Sequence, residues 1–400
     1  MNKNICVIGL GYIGLPTAAI LAENGFKVHG VDIDKSKVDK VNAGQSHFIE
    51  PGLSDLIKKN IKKNNLTASL TPKTSDIFII AVPTPFKEGY QPNIDFVRDA
   101  LKSIIPVIKK NNMIIIESTI PVGTTRIMEK FLIKNDVDVS NLFLAHCPER
   151  VLPGNIIEEL KNNDRIIGGT SLKSTKKVSD FYKSFVKGKV FSTDDKTAEM
   201  AKLTENSYRD LNIAFANEIS MICENENINP WELINLANKH PRVNILNPSP
   251  GVGGHCIAID PWFLISKHKN DTKLIEQARN VNLSKTEWVI DKIEKTAKDF
   301  EGKLNREPTI CCMGLTYKPN VDDIRESPSM YIVNNLMNKD YKVIAVEPNI
   351  ESHESIQLVS YNEGLKSADI VVWLVNHNEF KESKQYNHLD FCGIFEKNKV

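Results

Sequence analysis

The stretch NICVIGLGYIGLPTAAILAENGFKVHGVD, residues 4–32, joins an apolar β-branched run to a glycine turn, an Ala-rich helical pattern and a second apolar run. That order is the strand–helix–strand unit of a parallel sheet, in which the crossover helix covers one face. GLGYIG at 9–14 fits G-x-G-x-x-G directly after the first strand. Gly9 permits the tight turn, Gly11 lets the backbone approach a pyrophosphate, and Gly14 lets the helix pack closely on the strand. Asp32 ends the second run, about 20 residues further on, where an acid hydrogen-bonds a ribose diol. A carboxylate there also repels a 2′-phosphate and so favours NAD over NADP. Lys35 is placed to partner either such a phosphate or the acid itself. A competing reading makes Asp32 a turn acid or helix N-cap.

Outward from this unit, strands are expected at 4–8, 27–31, 77–82, 113–117, 142–146 and 165–168, separated by helical patterns. Residues 196–227 keep helical periodicity without Gly or Pro. At 1.5 Å per residue this helix would be on the order of 45 Å long, enough to act as a spine. A second long helix is expected at 272–300. Strands at 308–314, 342–347, 357–360 and 369–375 repeat the α/β plan without a glycine fingerprint of their own, so the redox cofactor is not assigned to them. The expected fold is α/β: two Rossmann-like doubly wound domains joined by a long central helix and a helical middle domain. The domains expected are 1–195 (cofactor), 196–303 (central, with the cysteine loop) and 304–400 (second Rossmann-like).

Composition narrows the class of function. Lys+Arg number 51 and Asp+Glu 50 among 400 residues, so no global field points to nucleic acid or to a membrane surface. The Lys pairs at 58–59 and 62–63 read as a solvated helix face. No apolar stretch approaches the roughly 20 residues needed to span a bilayer. The first strand begins too early to leave room for a signal peptide, and a cytoplasmic location is expected. Seven cysteines without paired metal-type spacing suit neither a disulfide framework nor a zinc site, so no metal is expected. Cys6, Cys223, Cys311 and Cys312 lie in apolar runs and read as packed thiols.

Cys256 differs from these. GVGGHCIAIDPWFL, residues 251–264, sets it behind Gly251, Gly253 and Gly254 and four residues before Asp260. Those glycines offer backbone that can bring N–H groups close to a phosphate or sugar. A thiol so placed suits a nucleophile, because thiolate is the best protein group for trapping an aldehyde before a second hydride leaves. On the spine helix, Lys202, Asn206, Arg209 and Ile213 share a face. Periodicity alone favours a surface salt-bridge array of Lys202, Glu205 and Arg209. ESTIPVGTT (117–125) and CPERVLPG (147–154) both follow strands at the carboxyl edge, where α/β proteins bind ligands. Either segment also reads as ordinary turn chemistry.

GLGYIGLP, VPTPF, ESTIPVGTT, PERVLPG, KLTENSYRDLNIAFANE, HPRVN, GVGGHC and GLTYKPNVDDIRESP occur in this order along the chain. Together they resemble the UDP-glucose/GDP-mannose dehydrogenase family over essentially the full length. CPERVLPG, HPRVNILNP and GGHCIAIDPWF are most similar to the branch acting on UDP-N-acetyl-D-mannosamine. Members built for UDP-glucose usually carry a Leu-Pro-Lys-Asp type sequence after the cysteine, where this chain has Ile257, Ala258, Ile259 and Asp260.

The resemblance implies NAD held by Gly9, Gly11, Tyr12, Ile13, Gly14, Asp32, Lys35, Thr84 and Thr119, with Arg325 reaching it across a subunit boundary. It implies Cys256 as nucleophile and Lys202 as the acid/base residue. Asn206, Asp260, Thr119 and Glu149 would serve the reacting water and the intermediates. Arg150, Val151, Lys202, Asn206, Arg209, His240, Arg242, Gly253, Tyr317 and Lys318 would hold a UDP-sugar in a homodimer or homotetramer with shared active sites. The implied reaction is oxidation of a C6 alcohol to a carboxylate with two NADH formed. UDP-glucose, UDP-N-acetylglucosamine and GDP-mannose are alternative substrates. A two-electron hydroxyacid or phosphogluconate-type dehydrogenase is a rival enzyme, and a non-catalytic nucleotide-binding protein a rival of another class.

Overall fold

The computed structural model describes residues 3–254, 256–380 and 388–395. They form two compact units: one runs to Glu205 and includes Trp262–Ser266, the other holds Asn206–Pro261 and the residues from Lys267 onward.

The first unit is built on β1 (Asn4–Ile8), β2 (Lys27–Val31), β3 (Leu66–Ser69), β4 (Ile77–Ile80), the short hairpin β5 (Phe86–Lys87) and β6 (Gln91–Pro92), β7 (Met113–Ile116), β8 (Phe143–His146), β9 (Arg165–Gly169) and β10 (Val190–Asp194). Its helices are α1 (Gly14–Glu23), α2 (Lys35–Asn42), α3 (Leu53–Lys62), α4 (Asp95–Ile104), α5 (Thr124–Lys134), α6 (Ile156–Asn162), α7 (Leu172–Tyr182) and the start of α8 (Asp195–Glu226). Eight strands make one sheet in the order β10-β9-β8-β7-β4-β1-β2-β3. Its ladders are parallel except β8 against β9. The order reverses between β1 and β4, the switch point beside which doubly wound sheets bind dinucleotides.

Strands covered on both faces read as continuous apolar runs, because alternate residues meet different helices. Ile5, Val7, Ile77 and Ile79 pack with Leu15 and Ala19 of α1 and Phe181 of α7. Their neighbours Cys6, Ile8, Phe78 and Ile80 face Val97 and Leu101 of α4 and Met128 of α5. The Lys pairs near the end of α3 are solvent-exposed, as expected.

The second unit contains the rest of α8, α9 (Pro230–Ala237), part of α10 (Asp260–Lys267), α11 (Lys273–Leu304), β11 (Thr309–Met313), α12 (Pro328–Asn338), β12 (Lys342–Val346), α13 (Tyr361–Ser367), β13 (Ile370–Trp373) and β14 (His388–Asp390). Its four strands are parallel in the order β12-β11-β13-β14. Cys311 and Cys312 are fully buried on opposite faces of β11, as packed thiols. The strand expected at 357–360 is reduced to one bridge, Ala345 with Leu358. Five strands escaped the sequence reading: β3 and β10 are polar or exposed at sheet edges, β5 and β6 are two residues each, and β14 is three residues long.

The long helices α8 and α11 face each other through a polar seam. Arg279 donates to Asp210 at 2.6 Å, Asn282 donates to the same carboxylate at 2.8 Å and accepts from Asn217 at 2.9 Å, and Lys285 donates to Ser220 at 2.9 Å. Burial raises the Asp210 carboxyl and pushes the Lys285 ammonium down to about 7. Buried pairs of this kind are costly to break singly, because the survivor stays charged without a partner. Arg279→Met should therefore lower stability by about 3–5 kcal/mol, read as a shifted urea midpoint. The double change Asp210→Leu/Arg279→Met should recover most of the loss. Equal losses in the single and double variants would show that the pair is not coupled.

Candidate active site

In the first unit the three motif glycines separate into two roles. A Cβ on Gly14 would lie 1.8 Å from the Gly9 carbonyl oxygen, and one on Gly9, at φ +92°, would lie 2.4 Å from the Ala81 oxygen. Both are required by close packing. Gly11 has nothing within 4 Å of its Cβ position, so it faces open space where a phosphate can approach. Helix α1 begins without a side-chain cap and without an acid in its first turn, which leaves its leading amides for an anion. The arrangement fits NAD.

Asp32 is buried and accepts from the Leu10 amide and the Asp34 amide, both at 2.9 Å. It does not cap α2; Asp34 does. Nor does Lys35 partner it: Lys35 is exposed and pairs with Asp39 at 2.9 Å, while Lys37 stands 3.7 Å from Asp32. The helix turn at 35–39 explains the difference, since residues one turn apart meet and Lys35 points toward Asp39.

The loops after β4 and β7 are knitted together. Thr84 donates to the Thr119 carbonyl at 2.7 Å, and Ser118 both accepts from the Val82 amide and donates to the Val82 carbonyl. Beyond them, the α5 amino terminus is met by Glu199 of α8, which accepts from the Gly123 and Thr125 amides and from the Thr125 hydroxyl. VPTPF and ESTIPVGTT thus share one edge of the sheet, as their position after successive strands requires.

Glu149 is buried, with one oxygen 2.5 Å from Arg165 and the other accepting the Arg150 amide at 2.7 Å. Arg150 forms a two-pronged pair with Glu205 at 2.7 and 3.0 Å. The surface array expected of Lys202, Glu205 and Arg209 is therefore not formed: Glu205 is taken by Arg150, Lys202 is buried and Arg209 is exposed. Val151 is half-buried beside Arg150. Arg165 had one sequence signal, a cation at the head of the otherwise apolar run RIIGG. Glu117 was also missed, although it opens ESTIPVGTT. It is buried, accepts from Tyr182 at 2.6 Å and from Thr17 at 3.3 Å, and burial, reinforced by the Glu149 charge, raises it to about 7.

In the second unit Cys256 is exposed, whereas five of the other six cysteines are buried and Cys392 is half-buried. Its carbonyl accepts from the Ile259 and Asp260 amides at 3.1 and 2.8 Å, a turn leading into α10. The glycines before it are also required by close packing. A Cβ on Gly253 would fall 2.4 Å from the Glu326 carbonyl oxygen, and one on Gly254, at φ +81°, 2.6 Å from the Tyr317 ring. They let the loop lie directly on the 317–328 segment. The other end of the loop is fastened by Ser249, whose amide donates to Asn217 at 2.8 Å, and by Thr286, which donates to the Pro250 carbonyl at 2.9 Å.

Asn206 and Asp260 are both buried and joined amide to carboxylate at 2.5 Å. Tyr317 and Lys318 are half-buried; Arg209, His240, Arg242 and Arg325 are exposed. Arg325 forks onto Asp323 at 2.9 and 2.7 Å. Among the described residues no group of three His, Cys, Asp or Glu is arranged to hold a metal ion.

The Glu117 cluster carries a pH signature. Its carboxyl titrates near 7 in the folded chain against an ordinary 4.5, so between these values the folded chain holds the extra proton. That contribution to stability is complete below the lower value and is lost as pH rises through the upper one. The groups facing it are Glu149, Arg165, Cys147, Tyr182 and Thr17. Glu117→Gln should thus gain stability relative to the parent between pH 5 and pH 8, by urea midpoints; the same difference at both pH values would reject the assignment.

The descriptions of three family models match in sequence order: the NAD binding domain of the UDP-glucose/GDP-mannose dehydrogenase family over residues 3–186, its central domain over 196–284 and its UDP binding domain over 311–394. A UDP-N-acetyl-D-mannosamine dehydrogenase of Campylobacter jejuni is 49% identical, over 98% of this chain and 99% of its own. An NDP-N-acetyl-D-galactosaminuronic acid dehydrogenase of Ralstonia nicotianae is 45% identical, over 95% and 92%. The solved structure of a UDP-D-ManNAc dehydrogenase from Pyrococcus horikoshii superposes with a TM-score of 0.91 at 36% identity, covering 98% of this chain and 96% of that one. No helix among the described residues is long and apolar enough to cross a membrane. The chain belongs to the UDP-glucose/GDP-mannose dehydrogenase family and is an NAD-dependent oxidoreductase of two Rossmann-like sheets.

Proposed function

We propose that this protein oxidises UDP-N-acetyl-D-mannosamine at C6 to UDP-N-acetyl-D-mannosaminuronate. The observation that carries the reading is Cys256, an exposed thiol on a loop pinned at both ends and leading directly to Asp260. Identity of 49% to the Campylobacter jejuni enzyme over nearly the full length of both chains supports the sugar. Three domains, 1–195, 196–303 and 304–400, are supported by the order of the family matches.

Bound NAD supplies a hydride acceptor for each of two oxidations. In the first, the C6 hydroxyl gives up its proton, with Lys202 as acid/base. The Cys256 thiolate then adds to the aldehyde carbon, and the carbonyl oxygen takes a proton to give a thiohemiacetal. Loss of the second hydride and of that proton leaves a thioester. Water attacks its carbonyl carbon, the carbon–sulfur bond breaks, and thiolate and carboxylic acid are released. One alcohol and one water thus yield one carboxylate, two hydrides transferred and three protons. An ammonium at Lys202 suits the oxyanions electrostatically. Asp260 fixes the amide orientation of Asn206, which serves the same oxygens, and Thr119 and Glu149 serve the water. Arg150, Val151, Arg209, His240, Arg242, Gly253, Tyr317 and Lys318 hold the nucleotide sugar.

We assign the working form to a homodimer or homotetramer in the cytoplasm. Tyr208, Phe215 and Ile222 recur every seven residues on α8 and are 66%, 48% and 50% exposed, an apolar stripe suited to a second copy of the same helix. Seven cysteines without the spacing of a disulfide framework suit a reducing compartment.

Cys256→Ala should abolish acid formation. The parent should form two NADH per UDP-N-acetylmannosamine in a panel that includes the galactosamine, glucosamine and glucose analogues. Two NADH per sugar from the Ala variant would reject covalent catalysis, and a better turnover of another sugar would reassign the substrate. Phe215→Glu should elute at the monomer position on sizing, and an unshifted elution would remove α8 from the interface.

A further inference from the structure

Between α2 and α3 runs the segment Ser46-His47-Phe48-Ile49-Glu50. It is held locally: the Ser46 hydroxyl donates to the Phe48 carbonyl at 2.7 Å, and the Leu53 amide donates to the Glu50 carbonyl at 3.2 Å. Two side chains of this short stretch leave it in different directions. The Phe48 ring stacks on the Tyr12 ring of GLGYIG, with centroids 4.3 Å apart and planes 27° off parallel, and His47 packs edge-on against it at 5.1 Å. Glu50, 8% exposed, reaches the other motif: its two oxygens accept the Gly154 amide at 2.8 Å and the Ile156 amide at 2.7 Å.

Those amides are the last turn of CPERVLPG and the start of α6. Asn155, the N-cap of α6, gives it no side-chain hydrogen bond, so a carboxylate more than 100 residues earlier does this in its place. The bonds are charge-assisted and buried, and two amides converge on one carboxylate. This fixes where Gly154 lies, and with it the path of Arg150 and Val151 immediately upstream. One five-residue stretch is thus braced against the cofactor turn at one end and the Arg150 loop at the other.

We propose that Glu50 is a positioning residue for the sugar nucleotide, and that the 46–50 segment makes occupation of the Tyr12 turn by cofactor and occupation of the Arg150 loop by sugar nucleotide mutually favourable. The inference rests on the reading of Arg150 and Val151 as substrate-binding residues and of Tyr12 as an NAD-binding one. Phe48 transmits, since a shift of the Tyr12 ring on cofactor binding must move the stacked ring. Glu50 receives, since its carboxylate cannot shift without carrying the Gly154 amide. Coupling of this kind is reciprocal, so each ligand must raise affinity for the other by the same factor.

Glu50→Gln keeps the size of the side chain but replaces one accepting oxygen with an amide that cannot accept, so one of the two loop bonds is lost. The KM for UDP-N-acetylmannosamine should rise on the order of tenfold, with kcat within about twofold and the NAD affinity of the sugar-free enzyme unchanged. A merely structural role would lower kcat and active fraction without this split. Phe48→Leu, which spares the clamp, should leave sugar-nucleotide affinity unchanged without cofactor but abolish its enhancement by NAD. Both affinities are measured by calorimetry in a Cys256→Ala background with NADH standing in for NAD as the dinucleotide, so that no hydride can be transferred. An unchanged KM in Glu50→Gln, or an undiminished NAD enhancement in Phe48→Leu, overturns the proposal. Arg150→Ala separates the underlying reading from the link: if it does not raise the sugar-nucleotide KM, the loop is not the substrate loop. If it does and Glu50→Gln does not, the brace alone is wrong.

Discussion

In each sheet of this protein, the backbone amide just past the first strand is buried and must find an acceptor. A carboxylate at the end of the second strand provides it. In the first unit the Leu10 amide donates to Asp32 at 2.9 Å; in the second the Leu315 amide donates to Glu347 at 2.7 Å. The preceding glycines, Gly9 and Gly314, have φ of +92° and +94° and donate to Val31 and Val346, the last residues of the second strands. A buried unpaired amide is expensive, so this bond fixes how the chain leaves the strand. The two turns then part ways. After Leu10 come Gly11 and Gly14, which open the backbone to a phosphate, whereas after Leu315 comes Thr316-Tyr317-Lys318, and Glu347 also meets His377 at 3.1 Å. One solution to the amide problem therefore presents a dinucleotide cradle in one sheet and a side-chain surface in the other.

The same rule extends around the first unit. Glu199 meets the amides of α5 and Glu50 those of α6, each from a distant part of the chain. Carboxylates buried in this way need balancing charge, and the balance is incomplete behind β7 and β8. There Arg165 is shared by Glu149 at 2.5 Å and, more distantly, by Glu117. Two carboxylates facing one guanidinium cannot both stay ionised at low cost. Glu149 takes the direct ion pair, and burial together with the Glu149 charge raises the Glu117 carboxyl to about 7 although the Tyr182 and Thr17 hydroxyls bond to it.

What was legible in the sequence is whatever short-range sterics decide. Gly9 and Gly14 announce a turn because no other residue fits there, and the apolar runs at 5–8, 77–80 and 113–116 announce central strands because both faces are covered. β3 and β10 were not legible, since an edge strand with polar residues has the composition of a loop. Side chains whose partners lie far along the chain were also hidden. Nothing within ten residues of Glu50 or Glu199 indicates the amides they satisfy, and the choice of Lys37 over Lys35 at Asp32 depends on the phase of α2. Gly253 and Gly254 were legible as special but not in their reason, which is the approach of Tyr317 and Glu326 from some sixty to seventy residues downstream.

The cysteine loop shows why the seam between α8 and α11 is polar. Apolar side chains would bury equivalent area there, but ridges of such residues can also settle one turn out of register, a slide of about 5.4 Å. Directional bonds have no such second solution. Asn217 spends its amide nitrogen on Asn282 of α11 and its oxygen on the Ser249 amide, so one side chain fixes both the helix register and the start of the loop. Thr286, on the same face of α11, takes the Pro250 carbonyl. From the other side, Gly253 and Gly254 lie so close to Glu326 and Tyr317 that the backbone has no lateral freedom. The path of residues 249–254 is thereby set before Cys256 is reached. A slip in the helices would carry the loop with it, so the seam's hydrogen bonds position the thiol as well as hold the fold.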